Sequence, residues 1–187
     1  DEPLNYWNMP MDINDEAAVW EVLMQPMTIL YSSKDRADRT QVILRAEPSE
    51  DAEGVGVVTR INQGVHVLET LDNGWSLIEC YSSSFYGTKI KAWNMLVQGY
   101  VKTSNLRTKT IDKKYHIVVD KLTQRLYLFG EGELTATLLV STGVANEEQP
   151  YNENRSGEFL YISPTGGFKS DNMYCPLAMK FNDGDLL

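Results

Sequence analysis

Val65-His66-Val67-Leu68-Glu69, Asp72-Asn73-Gly74 and Trp75-Ser76-Leu77-Ile78-Glu79-Cys80 follow one another along the chain. The first and third runs alternate apolar and polar residues, the period of a strand with one face buried. The Asn-Gly turn between them suits positive φ, so the three segments predict a hairpin. The same pattern extends outward. Upstream lie Thr28-Ile29-Leu30-Tyr31, Gln41-Val42-Ile43-Leu44-Arg45 and a strand carried by Val55, Val57, Val58 and Ile61. Downstream lie Lys91-Ala92-Trp93 and Gln98-Gly99-Tyr100-Val101. Glu47-Pro48-Ser49-Glu50-Asp51 and Asn62-Gln63-Gly64 supply turn chemistry between strands. Short strands at this spacing predict a small all-β barrel over residues 27–108.

Composition narrows the classes of function. The 187 residues carry 17 Lys and Arg against 26 Asp and Glu, a net charge of −9. Such a chain repels phosphate backbones, which argues against nucleic acid as a partner. No apolar run approaches the roughly 18 residues of a membrane-spanning helix. Two cysteines, Cys80 and Cys175, are too few for a disulfide scaffold or a four-thiolate zinc site. With only His66 and His116 besides, no metal or cofactor is expected. The carboxylates flanking the turn at Glu47 to Glu53 read as a solvated loop, with no glycosidase pair identifiable from spacing.

Two segments flank the predicted barrel. Residues 1–26 form an entry segment in which Asn14 and Asp15 cap a short helix that Pro26 stops. Trp20, Leu23 and Met24 mark its apolar face, expected to dock on the domain that follows. Residues 109–187 open a second β region. Tyr115–Asp120, Gln124–Phe129, Leu134–Ser141 and Glu158–Ile162 predict a four-strand meander free of helix. Phe181 to Leu187 reads as a turn and the start of another element, so this domain is expected to be interrupted, with strand edges that favour self-association.

Val42-Ile43-Leu44-Arg45-Ala46-Glu47-Pro48-Ser49 resembles the opening of a bacterial SH3-like domain. Ile61-Asn62-Gln63-Gly64-Val65, Asp72-Asn73-Gly74-Trp75 and Gly99-Tyr100-Val101 continue that resemblance in order. The stretch from Tyr81 to Lys91 departs from it as an insertion. Ile117-Val118-Val119-Asp120, Gln124-Arg125-Leu126-Tyr127-Leu128-Phe129, Val140-Ser141-Thr142-Gly143 and Gly157-Glu158-Phe159 resemble the N-terminal half of an L,D-transpeptidase catalytic domain. Arg155-Ser156 stand where that family often has Thr-Pro. The resemblance implies a mainly β chain: an SH3-like barrel, then the incomplete meander of an L,D-transpeptidase-type β-sandwich. It also implies an exported bacterial cell-wall protein, secreted or in the cell envelope, whose partner is peptidoglycan stem peptide or glycan.

L,D-transpeptidases crosslink stem peptides through a cysteine thiolate, a histidine base and backbone oxyanion donors. Their nucleophile lies in a Ser/His-x-Gly-Cys-x-Arg motif, which does not occur in these residues, and no histidine follows His116. No catalytic residue is therefore assigned, and the chain is expected to be inactive by itself. Cys175, in Met173-Tyr174-Cys175-Pro176-Leu177, lacks the motif's Gly and Arg and reads as structural, within a loop entering Ala178-Met179-Lys180-Phe181. Cys80 and His66 read as packing residues, and His116 as structural or surface. Trp75 and Tyr100 read as core. Tyr86 and Trp93, in or beside the insertion, are the ligand-binding candidates. Three readings stay open: a crosslinking enzyme whose catalytic segment is lacking here, a wall-binding module, and a cysteine peptidase pairing Cys175 with His116.

Overall fold

The structure, a computed structural model, describes residues 12–30, 41–59, 64–82, 90, 95–144, 146–148, 153–154, 156–160, 163–170 and 172–180. It is mainly β and divides into two compact units, Asp1–Met27 with Lys109–Ser156, and Thr28–Thr108 with Gly157–Leu187. No helix of the described residues is long and apolar enough to cross a membrane.

In the first unit a helix lies on a meander. Helix α1 (Glu16–Leu23) starts where the Asp15 side chain accepts the Ala18 N–H at 3.1 Å. Strands β8 (His116–Asp120), β9 (Arg125–Gly130) and β10 (Glu133–Leu139) form a three-stranded antiparallel sheet with β9 in the centre. The register sets Phe129 between His116 and Leu134, and Tyr127 between Val118 and Thr137. Phe129, Tyr127 and Val19 form the buried cluster, with Ile13, Trp20, Leu23, Val118 and Leu134 packed around it. The expected dock for the helix was the domain next in sequence; this cluster instead joins it to strands about a hundred residues away. Glu16 reinforces the contact, its carboxylate accepting the Leu134 N–H at 3.3 Å. The helix meets the sheet through Val19 as well as the predicted Trp20 and Leu23, because these positions repeat at spacing 3 and 4.

The β8–β9 turn is built by side chains. Asp120 accepts the Thr123 hydroxyl at 2.5 Å and the N–H groups of Leu122 and Thr123. These bonds, the hydroxyl foremost, hold its carboxyl below the usual carboxylate range. Gln124, at φ 54°, donates to the Lys121 carbonyl and to the Thr142 hydroxyl and accepts the Thr142 N–H. That amide ties the chain leaving β10 back to the turn.

The second unit centres on a five-stranded antiparallel sheet in the order β3-β2-β6-β5-β4. Its strands are β2 (Gln41–Arg45), β3 (Gly54–Thr59), β4 (His66–Thr70), β5 (Trp75–Tyr81) and β6 (Leu96–Lys102). The expected turn at Asp72-Asn73-Gly74 is present: Gly74 sits at φ 85°, and its N–H reaches the Leu71 carbonyl at 3.3 Å. A residue with a Cβ is strained at that φ. Alternation along β5 buries Ser76, Ile78 and Cys80. Ser76 keeps its hydroxyl satisfied against Thr103 at 2.8 Å and Thr70 at 3.3 Å. A separate pair joins β1 (Met27–Leu30) to β7 (Leu106–Lys109).

Three expectations are corrected. Among the described residues the strands of 27–108 do not close into a barrel: β3 and β4 are the outer strands of an open sheet. Closure requires a continuous, staggered ladder, whereas β2 and β6 share the single register pair Arg45↔Tyr100. The meander has three strands, not four, among the described residues. Glu158 accepts the Gly64 N–H at 3.1 Å within the second unit instead of adding to β10; Tyr161 and Ile162 lie outside the described residues. The stretch before Ala178 is not a loop but part of β12 (Met173–Lys180), which pairs antiparallel with β11 (Ser163–Ser170). The predicted strand residues Tyr31, Ile61 and Lys91-Ala92-Trp93 also lie outside the described residues.

Candidate functional site

Strand β3 opens Gly54-Val55-Gly56, and glycine inside a strand marks a close approach. A Cβ on Gly54 would come 2.6 Å from the Ile90 side chain and 2.9 Å from that of Ile43. A Cβ on Gly56 would come 2.8 Å from Val97. Ile90 belongs to the β5–β6 connection, and Val97 lies in β6 beyond it. The two glycines thus form a saddle that receives the base of this connection.

Ser82 completes the anchor. It is fully buried, and its hydroxyl both accepts the Val57 N–H at 3.1 Å and donates to the Val57 carbonyl at 3.2 Å. A side chain here makes the two bonds that a neighbouring strand would make through its peptide groups. That substitution stabilises the outer strand β3 without extending the ladder. The Ser82 N–H closes the base of the connection on the Met95 carbonyl at 2.9 Å. The connection therefore leaves the sheet from a rigid footing at both ends. Tyr86 and Trp93, the predicted ligand contacts, belong to this connection and lie outside the described residues.

Cys80 is fully buried in β5, and burial, with the Glu79 charge adding to it, pushes its thiol far above the ordinary range. Such a thiol is not a nucleophile near neutral pH. Cys175 is half-buried in β12, in register with Phe168. Pro176 continues that strand rather than opening a helix, so the helix-start geometry of a papain-like cysteine is not formed. His116 belongs to the first unit and Cys175 to the second. The His116 ring meets Trp20 edge to face at 5.1 Å, with Nε2 2.6 Å from the Asp112 carbonyl oxygen. It works in the helix–sheet contact. His66, in β4, is half-buried in register with Glu79. Trp75 and Tyr100 are half-buried on adjacent strands of the sheet. Among the described residues no three His, Cys, Asp or Glu side chains converge.

Sequence reasoning missed Ser82, Ile90 and the glycine pair. The Gly-x-Gly inside a strand pattern was the available signal. No protein-family model, curated protein or solved structure matches the chain.

Proposed function

We propose that this chain is an exported wall protein of the kind its motifs resemble, an SH3-like region beside an L,D-transpeptidase-type meander. In this reading the residues at hand hold peptidoglycan rather than transfer acyl groups. The observation that carries it is the two-point anchoring of the β5–β6 connection by Ser82 and the Gly54/Gly56 saddle. A connection on a rigid footing loses less entropy when aromatic side chains on it meet a ligand. Tyr86 and Trp93 are those side chains, and stem peptide or glycan is the ligand. Acyl transfer is not part of the reading, because the chain has no Ser/His-x-Gly-Cys-x-Arg motif and Cys80 is buried. Cosedimentation with insoluble peptidoglycan tests it. The chain should pellet with the wall polymer, and the double variant Tyr86→Ala, Trp93→Ala should weaken that binding at least about tenfold, the scale of aromatic hot spots. Equal binding by the variant rejects the role of the connection.

Self-association belongs to the same proposal and is supported by a specific feature of the meander. On the sheet face opposite the Phe129 cluster the register aligns Ile117, Val119, Leu126, Leu128, Ala136 and Leu138. Ile117, Val119 and Leu138 are exposed at its margins, whereas Leu126 on the central strand is buried. The outer strands β8 and β10 have no further strand partner among the described residues. An apolar face beside open strand edges recruits a second copy. Sedimentation velocity should show a concentration-dependent dimer that Val119→Lys with Leu138→Lys abolishes. A monomer throughout the micromolar range rejects it.

A further inference from the structure

Asn73-Gly74 is the one Asn-Gly pair in the sequence. It sits at the tip of the β4–β5 hairpin, and both residues are exposed. Glycine after asparagine leaves the next backbone nitrogen unshielded by a Cβ. Around Gly74 the space is open: apart from its chain neighbours, no atom lies within 4 Å of where a Cβ would stand. The Asn73 side-chain oxygen accepts the Trp75 N–H at 3.2 Å. When the Asn73 amide carbon is attacked, negative charge develops on that oxygen, so the Trp75 N–H stands where an oxyanion donor is needed. The Gly74 N–H is held by the Leu71 carbonyl at 3.3 Å, a long bond for its kind. The same tip is tied into the sheet. Leu71 donates its N–H to the Trp75 carbonyl at 2.8 Å, and the Gly74 carbonyl accepts the Thr103 N–H at 2.9 Å. Thr103, just past β6, also bonds the buried Ser76 hydroxyl at 2.8 Å. Bonds on both sides of Asn73 thus fix the length of backbone in the turn.

We propose that Asn73 is a site of spontaneous deamidation in the folded protein, and that the isoaspartate it forms loosens the β4–β5 hairpin. The Gly74 backbone nitrogen attacks the Asn73 side-chain carbonyl carbon, its neighbour in the chain. A new C–N bond forms, the bond to Nδ2 breaks, and the Gly74 amide proton departs with the amino group as ammonia. The product is a cyclic imide. Water then adds at one of its two carbonyls. Opening at the side-chain carbonyl leaves aspartate, and opening at the main-chain carbonyl leaves isoaspartate, whose backbone runs through the side-chain methylene. Water is the co-reactant, and nothing is oxidised or reduced.

The two products differ in what they do to the sheet. Both add a negative charge to the present −9, beside the exposed Asp72. Isoaspartate also lengthens the turn by a methylene, and loop length sets the register of a hairpin. The Leu71–Trp75 bond and the Gly74–Thr103 bond cannot both be kept across a longer turn. β5 lies between β4 and β6 in the sheet, so the change reaches the contact with β6 as well as the hairpin itself.

The test is incubation of the full chain in mildly alkaline buffer, native and in denaturant, followed by peptide mass spectrometry and enzymatic methylation of isoaspartyl carboxylates. The native protein should accumulate a more acidic form with the mass change of an NH2-to-OH exchange at Asn73. This should run at least about tenfold faster than at the exposed Asn14, whose successor Asp15 carries a Cβ. Asn73→Gln, which would have to close a larger ring, should stay unmodified at this position. In the isolated isoaspartate form the Leu71 and Thr103 amides should exchange at least about tenfold faster than in fresh protein. Freshly prepared Asn73→Asp, with the same charge on an unaltered backbone, should keep the slow exchange. Full conversion in denaturant with none in the native protein overturns the proposal, because the fold then shields the pair. Unchanged exchange in the isoaspartate form, or an equal change in Asn73→Asp, overturns the loosening.

Discussion

Phe129→Ala is expected to destabilise the helix-and-meander unit by about 3–5 kcal/mol, the range for deleting a buried phenyl ring. Phe129 is 0% exposed, at the centre of a cluster whose other fully buried member is Val19 of the helix. Among the described residues the unit has one helix and three strands, so little else there absorbs the loss, and the figure is a large share of the roughly 5–15 kcal/mol that holds a typical domain. The expected result is loss of the Trp20 near-ultraviolet signal and rapid amide exchange in β8, β9 and β10. Amides of β2, β5 and β6, in the other unit, should stay protected. Val19→Ala should act in the same direction with a smaller effect, because fewer atoms are removed. A cost below about 1 kcal/mol for Phe129→Ala would mean that the meander stands without its helix, contrary to the packing described.

Thiol reactivity carries the second large effect. In the native protein Cys80 should react with a neutral alkylating reagent at least about a thousandfold more slowly than Cys175. Cys80 is 0% exposed and its thiol is held protonated by burial, so labelling waits for the five-stranded sheet to open. An opening free energy near 5 kcal/mol already corresponds to a factor of several thousand. Cys175 lies half-buried in a two-stranded hairpin and needs no such opening. In denaturant the two rates should converge, which separates burial from intrinsic chemistry. Comparable native rates for the two thiols would contradict the placement of Cys80. A carbapenem adduct forming on Cys175 well above the rate of free cysteine would contradict the expectation that this chain by itself neither crosslinks nor cleaves stem peptides.

The local pattern was legible wherever a strand obeyed strict alternation. The hairpin at Trp75 and its Asn-Gly turn, the strand at Gln41–Arg45 and the capped helix at Asp15 all follow from neighbours within a few residues. The hairpin of β11 and β12 was not legible. Pro164, Gly166, Gly167 and Pro176 interrupt its alternation, and register shifts after Pro164 and Gly166 absorb them. The candidate site was legible only in part. The insertion after Tyr81 stood out, but nothing near Ser82 announced that its hydroxyl would bond Val57.

By itself the sequence determined the mainly β character, the positions of most strands, the turn at Gly74 and the acidic charge, because each depends on residue type or on short-range periodicity. Tertiary structure alone decided which elements meet. Helix α1 belongs with β9 and β10 because burying Val19 against Phe129 gains more than either element does alone, and no local pattern encodes that choice. The open sheet in place of a barrel has the same kind of origin. One buried serine and two missing Cβ atoms settle how β3 is covered, and those contacts exist only once residues 54–57 and 82–97 are brought together in space.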